Sequence, residues 1–298
     1  MKVLVLGATG FLGNIVNEFL STNFEVIGTT TAVMPQLPNQ VNFNYSGKES
    51  IKELVRGTRP DCIINCIALA DVDRAEQDPS LAEFLNFELP RDLSVECQQK
   101  GIKLIHISTD HFESSINGLQ EDQPPYPINV YGKTKLAGDL AVLENAPSAS
   151  VVRTNFFARS QSGSKGLIDF VIRSSQSSRE IFGYTDVFFN PVGAHFLAEC
   201  LEKILTSDHR GILNICSSRL LSKFDFLRLV AEKLNFNENL ISACNYSQAT
   251  HTVLRPKCMS LNPSKLEAFL GVDLPSIESQ LDTELSGTIP LLADRDGK

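Results

Sequence analysis

Gly7-Ala8-Thr9-Gly10-Phe11-Leu12-Gly13 follows the apolar run Lys2 to Leu6 and opens a segment in which Phe11, Leu12, Ile15, Val16, Phe19 and Leu20 recur at helical spacing. Three spaced glycines permit a tight turn, close approach of the backbone to a ligand, and close packing of the helix on the strand. The first turn of a helix also presents N–H groups without intrahelical partners, and these attract anions. Strand, turn and helix together are expected to hold the pyrophosphate of a dinucleotide, with Gly7, Thr9, Gly10, Phe11, Leu12 and Gly13 around it. Outside that context the same glycines would be an ordinary connection.

Outward from this turn, β-branched runs alternate with amphipathic patterns, the signature of β-α-β units and a parallel sheet. Strands are predicted at Lys2 to Leu6, Phe24 to Thr29, Val41 to Tyr45, Cys62 to Ile67, Lys103 to Ser108 and Ser150 to Thr154. Later helices are predicted at Pro79 to Lys100, Val130 to Leu143, Leu167 to Ser175, Gly193 to Leu205 and Lys223 to Leu234. From about Phe156 the alternation loosens into Ser-, Asn- and Pro-containing connections at Ser160 to Ser164, Ser242 to Thr250 and Pro256 to Pro263. The expected architecture is α/β: a Rossmann-type doubly wound parallel sheet with a smaller C-terminal substrate-binding lobe over its carboxyl edge. Residues 1–155, with 190–217 returning to them, form the dinucleotide-binding domain; 156–189 and 218–298 form the lobe.

Composition narrows the function classes. With 298 residues, 42% hydrophobic and 21% charged, the chain can bury a sizeable core, and disorder is not indicated. A net charge of -8 argues against a nucleic-acid surface. No apolar run reaches the roughly 20 residues that cross a bilayer, and Met1-Lys2 leads straight into a strand-like segment, so a cytoplasmic address without membrane partners is expected. The seven cysteines are read as reduced thiols, Cys62 and Cys66 sharing one face of a buried strand, and no metal site is expected.

The predicted fifth strand ends in Ile107-Ser108-Thr109-Asp110, and the next helix begins Tyr131-Gly-Lys-Thr-Lys135. Tyrosine and lysine four residues apart share a helix face, so the ammonium can approach the phenol and lower its pKa from about 10. A threonine hydroxyl at the strand end can orient a carbonyl oxygen being reduced. Tyr131 as acid, Lys135 and Thr109 thus form a proton-transfer set. Tyr/Lys pairs at this spacing also occur as plain packing, and it is their order after the glycine turn that favours chemistry. The second strand ends in Gly28-Thr29-Thr30-Thr31 with no carboxylate to repel a ribose 2'-phosphate, which favours NADPH with NADH as the alternative, Thr29 and Thr30 lying beside the ribose.

These residues resemble the extended short-chain dehydrogenase/reductase superfamily and, within it, the dTDP-4-dehydrorhamnose reductase family. The resemblance runs from Lys2 to about Leu285 and includes Asn65-Cys-Ile-Ala-Leu-Ala-Asp-Val-Asp-Arg-Ala-Glu76, Ser108-Thr109-Asp110, Pro127-Ile-Asn-Val-Tyr131-Gly-Lys-Thr-Lys135, Val152-Arg153-Thr154 and Arg255-Pro256. It implies reduction of the 4-keto group of a nucleotide-linked deoxysugar for surface polysaccharide synthesis. It gives Thr109, Tyr131 and Lys135 catalytic roles, and Cys66, Ile67, Ala68 and Ala70 a place along the cofactor. It sets Arg153 and Thr154 near the nicotinamide, and Asp71, Val72, Asp73 and Arg255 toward the sugar nucleotide. Relatives usually follow Ser-Thr-Asp with Tyr-Val-Phe-Asp-Gly and Arg-Thr-Ser with tryptophan. Here Asp110 precedes His111-Phe-Glu, and Asn155-Phe156 follow Arg153-Thr154, so this sugar pocket departs from the family pattern. A homodimer is the candidate assembly. The alternatives are an epimerase or dehydratase that regenerates bound NAD, and a non-catalytic regulatory subunit of the methionine adenosyltransferase type.

Overall fold

The computed structural model describes residues 1–32, 39–248 and 253–286. The part of the expected lobe at 249–252 and 287–298 lies outside the described residues. The first half runs β1 (Lys2–Leu6), α1 (Phe11–Leu20), β2 (Glu25–Thr30), β3 (Gln40–Asn42), α2 (Lys48–Thr58), β4 (Cys62–Asn65), α3 (Val72–Gln77), α4 (Pro79–Glu83), α5 (Leu89–Lys100), β5 (Lys103–Ile107), α6 (Val130–Asn145) and β6 (Ser150–Thr154). The chain continues as β7 (Phe156–Phe157), α7 (Gly166–Gln176), β8 (Ile181–Tyr184), β9 (Phe188–Phe189), β10 (Val192–Gly193), α8 (Ala194–Thr206) and β11 (Gly211–Ile215). It closes with β12 (Leu221–Ser222), α9 (Lys223–Lys233), β13 (Ile241–Cys244), β14 (Cys258–Met259), α10 (Ser264–Leu270) and α11 (Ile277–Leu285).

Seven strands form one parallel sheet in the order β11-β6-β5-β4-β1-β2-β3, the doubly wound arrangement expected. The order reverses between β1 and β4, so the glycine turn after β1 opens at the topological switch point where such sheets bind ligands. Strands buried on both faces need apolar residues on both, and β1 complies: Val3 and Val5 join Leu12, Val16 and Leu201, while Leu4 and Leu6 join Ile51, Leu93 and Val142. A separate core of Phe157, Ile168, Val187, Phe189, Phe226, Val230 and Leu281 holds short β-pairs and helices α7, α9 and α11. Among the described residues no helix is long and apolar enough to cross a membrane. All seven cysteines are free, and Cys62 and Cys66 both pack in the first core.

Several boundaries differ from the expectation. β2 starts at Glu25, β3 ends at Asn42, and β4 ends at Asn65 because the Asn65 side chain accepts the Ile67 N–H at 3.1 Å and turns the chain out of the sheet. The helix predicted from Pro79 to Lys100 contains a π turn at Phe84–Glu88 just before Pro90, a residue with no N–H to donate to a regular helical ladder. Helix α6 passes this wide turn so closely that a Cβ on Gly138 would lie 2.1 Å from the Asn86 carbonyl oxygen. Gly138→Ala should therefore force the helices apart and destabilise the chain by about 1–3 kcal/mol. Gly57→Ala, on the open surface of α2 with nothing within 4 Å, should instead stabilise by about 0.5–1 kcal/mol; urea unfolding of both variants measures the contrast.

Candidate active site

The glycine turn is held from three sides. Gly7 adopts a φ of +78°, open to glycine at little cost, and its carbonyl accepts the Gly10 N–H at 2.8 Å. A Cβ on Gly13 would sit 2.1 Å from that carbonyl oxygen, so helix α1 can lie this close to the turn only with glycine there. The Gly7 N–H donates to Thr29 Oγ1 at 2.9 Å. Gly10 caps α1 without any side-chain hydrogen bond, which leaves the first-turn N–H groups for an incoming anion. A cavity of about 300 Å³ lies against this turn, lined by Thr9, Gly10, Phe11, Arg159, Ser160 and Lys165. An uncapped helix start beside basic side chains fits a dinucleotide pyrophosphate.

The individual side chains divide the work. Leu12 is buried in the core, so only its backbone is available to a ligand. Phe11 stacks on Phe156 with ring centroids 5.1 Å apart, joining the turn to the segment after β6. Thr29 is occupied in anchoring Gly7, and Thr30 Oγ1 accepts the Ala32 N–H at 3.1 Å. Cys66 spends its N–H on Leu6 O, and burial pushes its thiol up to about 12, so it is an inert wall. Ala68 is half-buried and Ala70 exposed; between them Leu69 is clamped by Asn86, which accepts its N–H at 2.8 Å and donates to its carbonyl at 3.2 Å.

Strand β5 and helix α6 bring Thr109, Tyr131 and Lys135 together. Lys135, only 1% exposed, donates to Ile107 O at 2.8 Å, and burial pulls its pKa down to about 8 against the opposing pull of Asp139. Asp139 is itself buried and accepts from Ser108 Oγ at 2.6 Å. Because Asn65 Oδ1 is committed to Ile67 N–H, Asn65 Nδ2 must be the donor to His106 Nδ1 at 3.1 Å. His106 Nε2 lies 3.4 Å from Lys135 Nζ and 3.7 Å from Asp139 Oδ1. Arg153 Nε approaches Asp139 Oδ2 at 3.9 Å, and Thr154 Oγ1 is buried with no hydrogen-bond partner.

Tyr131 departs from one expectation. Burial pushes its phenol up to about 12, a hydrogen bond with Thr109 pulls it down, and Asp110 and Asp139 raise it further; Lys135 contributes no lowering. The ammonium is anchored on the strand, at Ile107 O, instead of at the phenol, and Asp139 acts on it through its charge. Val72 packs in the apolar cluster around Tyr131. Asp71 caps α3, its carboxylate accepting the Arg74 N–H at 3.0 Å, so this side chain is occupied structurally. Arg255 reaches Asp73 at 2.6 Å, tying the C-terminal region to α3 beside the cleft.

Three residues that sequence reasoning did not single out shape the pocket. Asn129 caps α6 by accepting the Gly132 N–H at 2.9 Å, which orients its amide to donate to His111 Nε2 at 3.0 Å and fixes the His111 proton on Nδ1. The His111 ring meets Tyr131 edge-on at 5.3 Å, and the His111 backbone N–H donates to Thr109 Oγ1 at 3.1 Å. Asn155 donates to Asp110 Oδ2 at 2.9 Å, and burial raises Asp110 to about 6 despite Lys223, a cation from α9. Asn86 and Lys223 are the other two. An asparagine immediately before a helical pattern is a capping signal and could have exposed Asn129; the others depend on contacts between distant segments.

Burial, reinforced by Arg255 and Lys223, lowers His111 from 6.5 to about 4. Between those values the unfolded chain binds a proton that the folded chain does not. Stability is therefore retained above the window and lost as pH falls through it, by up to about 1.4 kcal/mol per pH unit from this group. His111→Gln should flatten the slope by up to one proton, read from urea unfolding of both chains at about pH 5 and pH 7.

A protein-family model described as RmlD substrate binding domain matches residues 1–288. The probable low-salt glycan biosynthesis reductase Agl14 of Haloferax volcanii is 28% identical over 288 residues, spanning 94% of this chain and 96% of that protein. The dTDP-4-dehydrorhamnose reductase of Salmonella typhimurium is 29% identical over 290 residues, spanning 93% and 95% respectively. A crystal structure of dTDP-4-dehydrorhamnose reductase from Bacillus anthracis in complex with NADP superposes with a TM-score of 0.85 at 24% identity, covering 96% of this chain and 98% of that one. The folds are alike across the chain.

Proposed function

This chain belongs to the RmlD substrate binding domain family, and from that premise we propose that it is an NADPH-dependent reductase of the 4-keto group of a nucleotide-linked deoxyhexose. The observation that carries the reading is the state of Tyr131: a buried phenol with a pKa of about 12, hydrogen-bonded to Thr109. Reduction needs its acid protonated before hydride arrives, and this environment keeps the phenol protonated at neutral pH. The glycan-biosynthesis and dehydrorhamnose reductases to which the chain is similar support the same reaction class.

Gly7, Gly10 and the first-turn N–H groups of α1 would hold the pyrophosphate, and Thr29 and Thr30 at the end of β2 offer no carboxylate against a 2'-phosphate. Bound there, the nicotinamide supplies a hydride to carbon 4 of the keto sugar. Thr109 receives the His111 backbone N–H on its oxygen and shares its hydroxyl with the Tyr131 phenol, so that the two hydroxyls would meet the keto oxygen together. Tyr131 gives its proton to that oxygen as the alcohol forms. Lys135, held by Ile107 O with His106 Nε2 at 3.4 Å and charge-balanced by Asp139, would turn a remaining N–H donor to the ribose of the nicotinamide. Residues 156–189, 218–248 and 253–286, with Arg255 among them, would serve as the lobe that carries the sugar nucleotide over Tyr131.

Tyr131→Phe should lower kcat by about 10²- to 10⁴-fold with the KM for NADPH unchanged, followed as loss of NADPH absorbance with dTDP-4-dehydrorhamnose as substrate. NADPH should give a higher kcat/KM than NADH in the same assay; the reverse order would remove the argument from the end of β2.

A further inference from the structure

Lys223 is the first residue of α9. Its backbone N–H is fixed on Val187 O at 2.9 Å, and Ser222 caps the helix by accepting the Asp225 N–H at 3.0 Å. Its ammonium lies 3.2 Å from the centroid of the Phe189 ring, which is 1% exposed and braced by Phe226 at 5.4 Å. This is a rigid seat: β9, which carries Phe189, pairs with β12, which leads into Lys223. Among the described residues no carboxylate lies within ion-pairing distance of the ammonium, and no protein oxygen accepts a hydrogen bond from it. The ring face favours the charge but uses none of its three N–H donors as a lone pair would.

The opposite charge acting on Lys223 is Asp110, next in sequence to Thr109. Asp110 is 5% exposed and has one oxygen on Asn155. A cation with unused donors faces a carboxylate with lone pairs to spare, beside the residue that orients the reacting carbonyl. Such a pair is neutral overall and offers both donors and acceptors, the complement of a polyhydroxylated ring. A carboxylate on the ring would meet Asp110 with like charge.

We propose that Lys223 is a substrate-positioning residue: its ammonium donates to hydroxyl oxygens of the hexose while Asp110 accepts from a neighbouring hydroxyl, so that the pocket selects an uncharged sugar ring over a hexuronate. The proposal rests on the reductase reading and is tested separately from it. In NADPH-dependent turnover of dTDP-4-dehydrorhamnose, Lys223→Met should raise the KM for the keto sugar about 10-fold or more. The KM for NADPH should stay unchanged, the thermal midpoint of the NADPH-loaded protein should stay near that of the parent, and Lys223→Arg should recover part of the loss. An unchanged keto-sugar KM in Lys223→Met overturns the proposal. If the parent chain turns over no keto sugar, the reductase reading fails, and calorimetry of the NADPH-loaded protein still reads Lys223. UDP-glucose should bind the parent more tightly than UDP-glucuronate, and Lys223→Met should weaken UDP-glucose binding by a similar factor. Equal binding of the two ligands, equal binding by parent and variant, or no binding by the parent overturns it.

Discussion

Helix α6 is tied to the end of strand β5 by an ammonium with almost no access to water. Lys135 reaches Ile107 O across the sheet edge, and a charge so buried persists only if an opposite charge is buried with it. Asp139, one turn further along the same helix, supplies that charge; burial raises its pKa, and Lys135, the Ser108 hydroxyl and Arg153 oppose that rise. Asn65 orients His106 from the neighbouring strand and, with its other amide atom, turns the chain toward Ala68. The turn out of β4 and the orientation of His106 beside Lys135 are therefore set by one asparagine. The phenol of Tyr131 inherits its position from this arrangement and its protonation from the apolar cluster of Leu69, Val72 and Ala75 around it.

Electrostatics on the sugar side follow a different logic. His111 stands between two cations, Arg255 and Lys223, each of which disfavours a third positive charge. With Asn129 donating to its Nε2, the ring is a neutral donor through Nδ1, and the local charge balance falls to Asp110 and Asp73. The residues here thus differ from the dehydrorhamnose-type pattern in the chemistry of their donors.

The parallel sheet was legible because each strand is a compact apolar run separated by a helix with a clear stripe, as in Lys2 to Leu6 followed by Phe11 to Leu20. Helix α2 was not, since Ile51, Leu54 and Val55 are a short stripe between Gly47 and Gly57. The two-residue strands β7, β9, β10, β12 and β14 are too short to show an alternation of their own and exist only through their partners. Thr109, Tyr131 and Lys135 could be found from order and spacing. The Asp139–His106–Asn65 chain could not, because a buried polar residue in an apolar strand, such as His106 in Lys103 to Ile107, does not disclose its partner. The lowering of the tyrosine by lysine failed for a related reason: helical spacing permits the two to meet, but the strand carbonyl and Asp139 fix where the ammonium goes.

The widened turn at Phe84–Glu88 has a consequence for how this scaffold tolerates change in length. One additional residue within that helix is what brings the Asn86 amide to Leu69 and Thr134 at the same time. Excising a single residue there would restore a regular ladder with its two halves still in phase, but would remove the widened turn that carries Asn86. The clasp on the 69 loop would open although every catalytic side chain remained in the sequence. Indels in this helix are thus a route by which a chain of this kind could keep its catalytic signature and lose its chemistry.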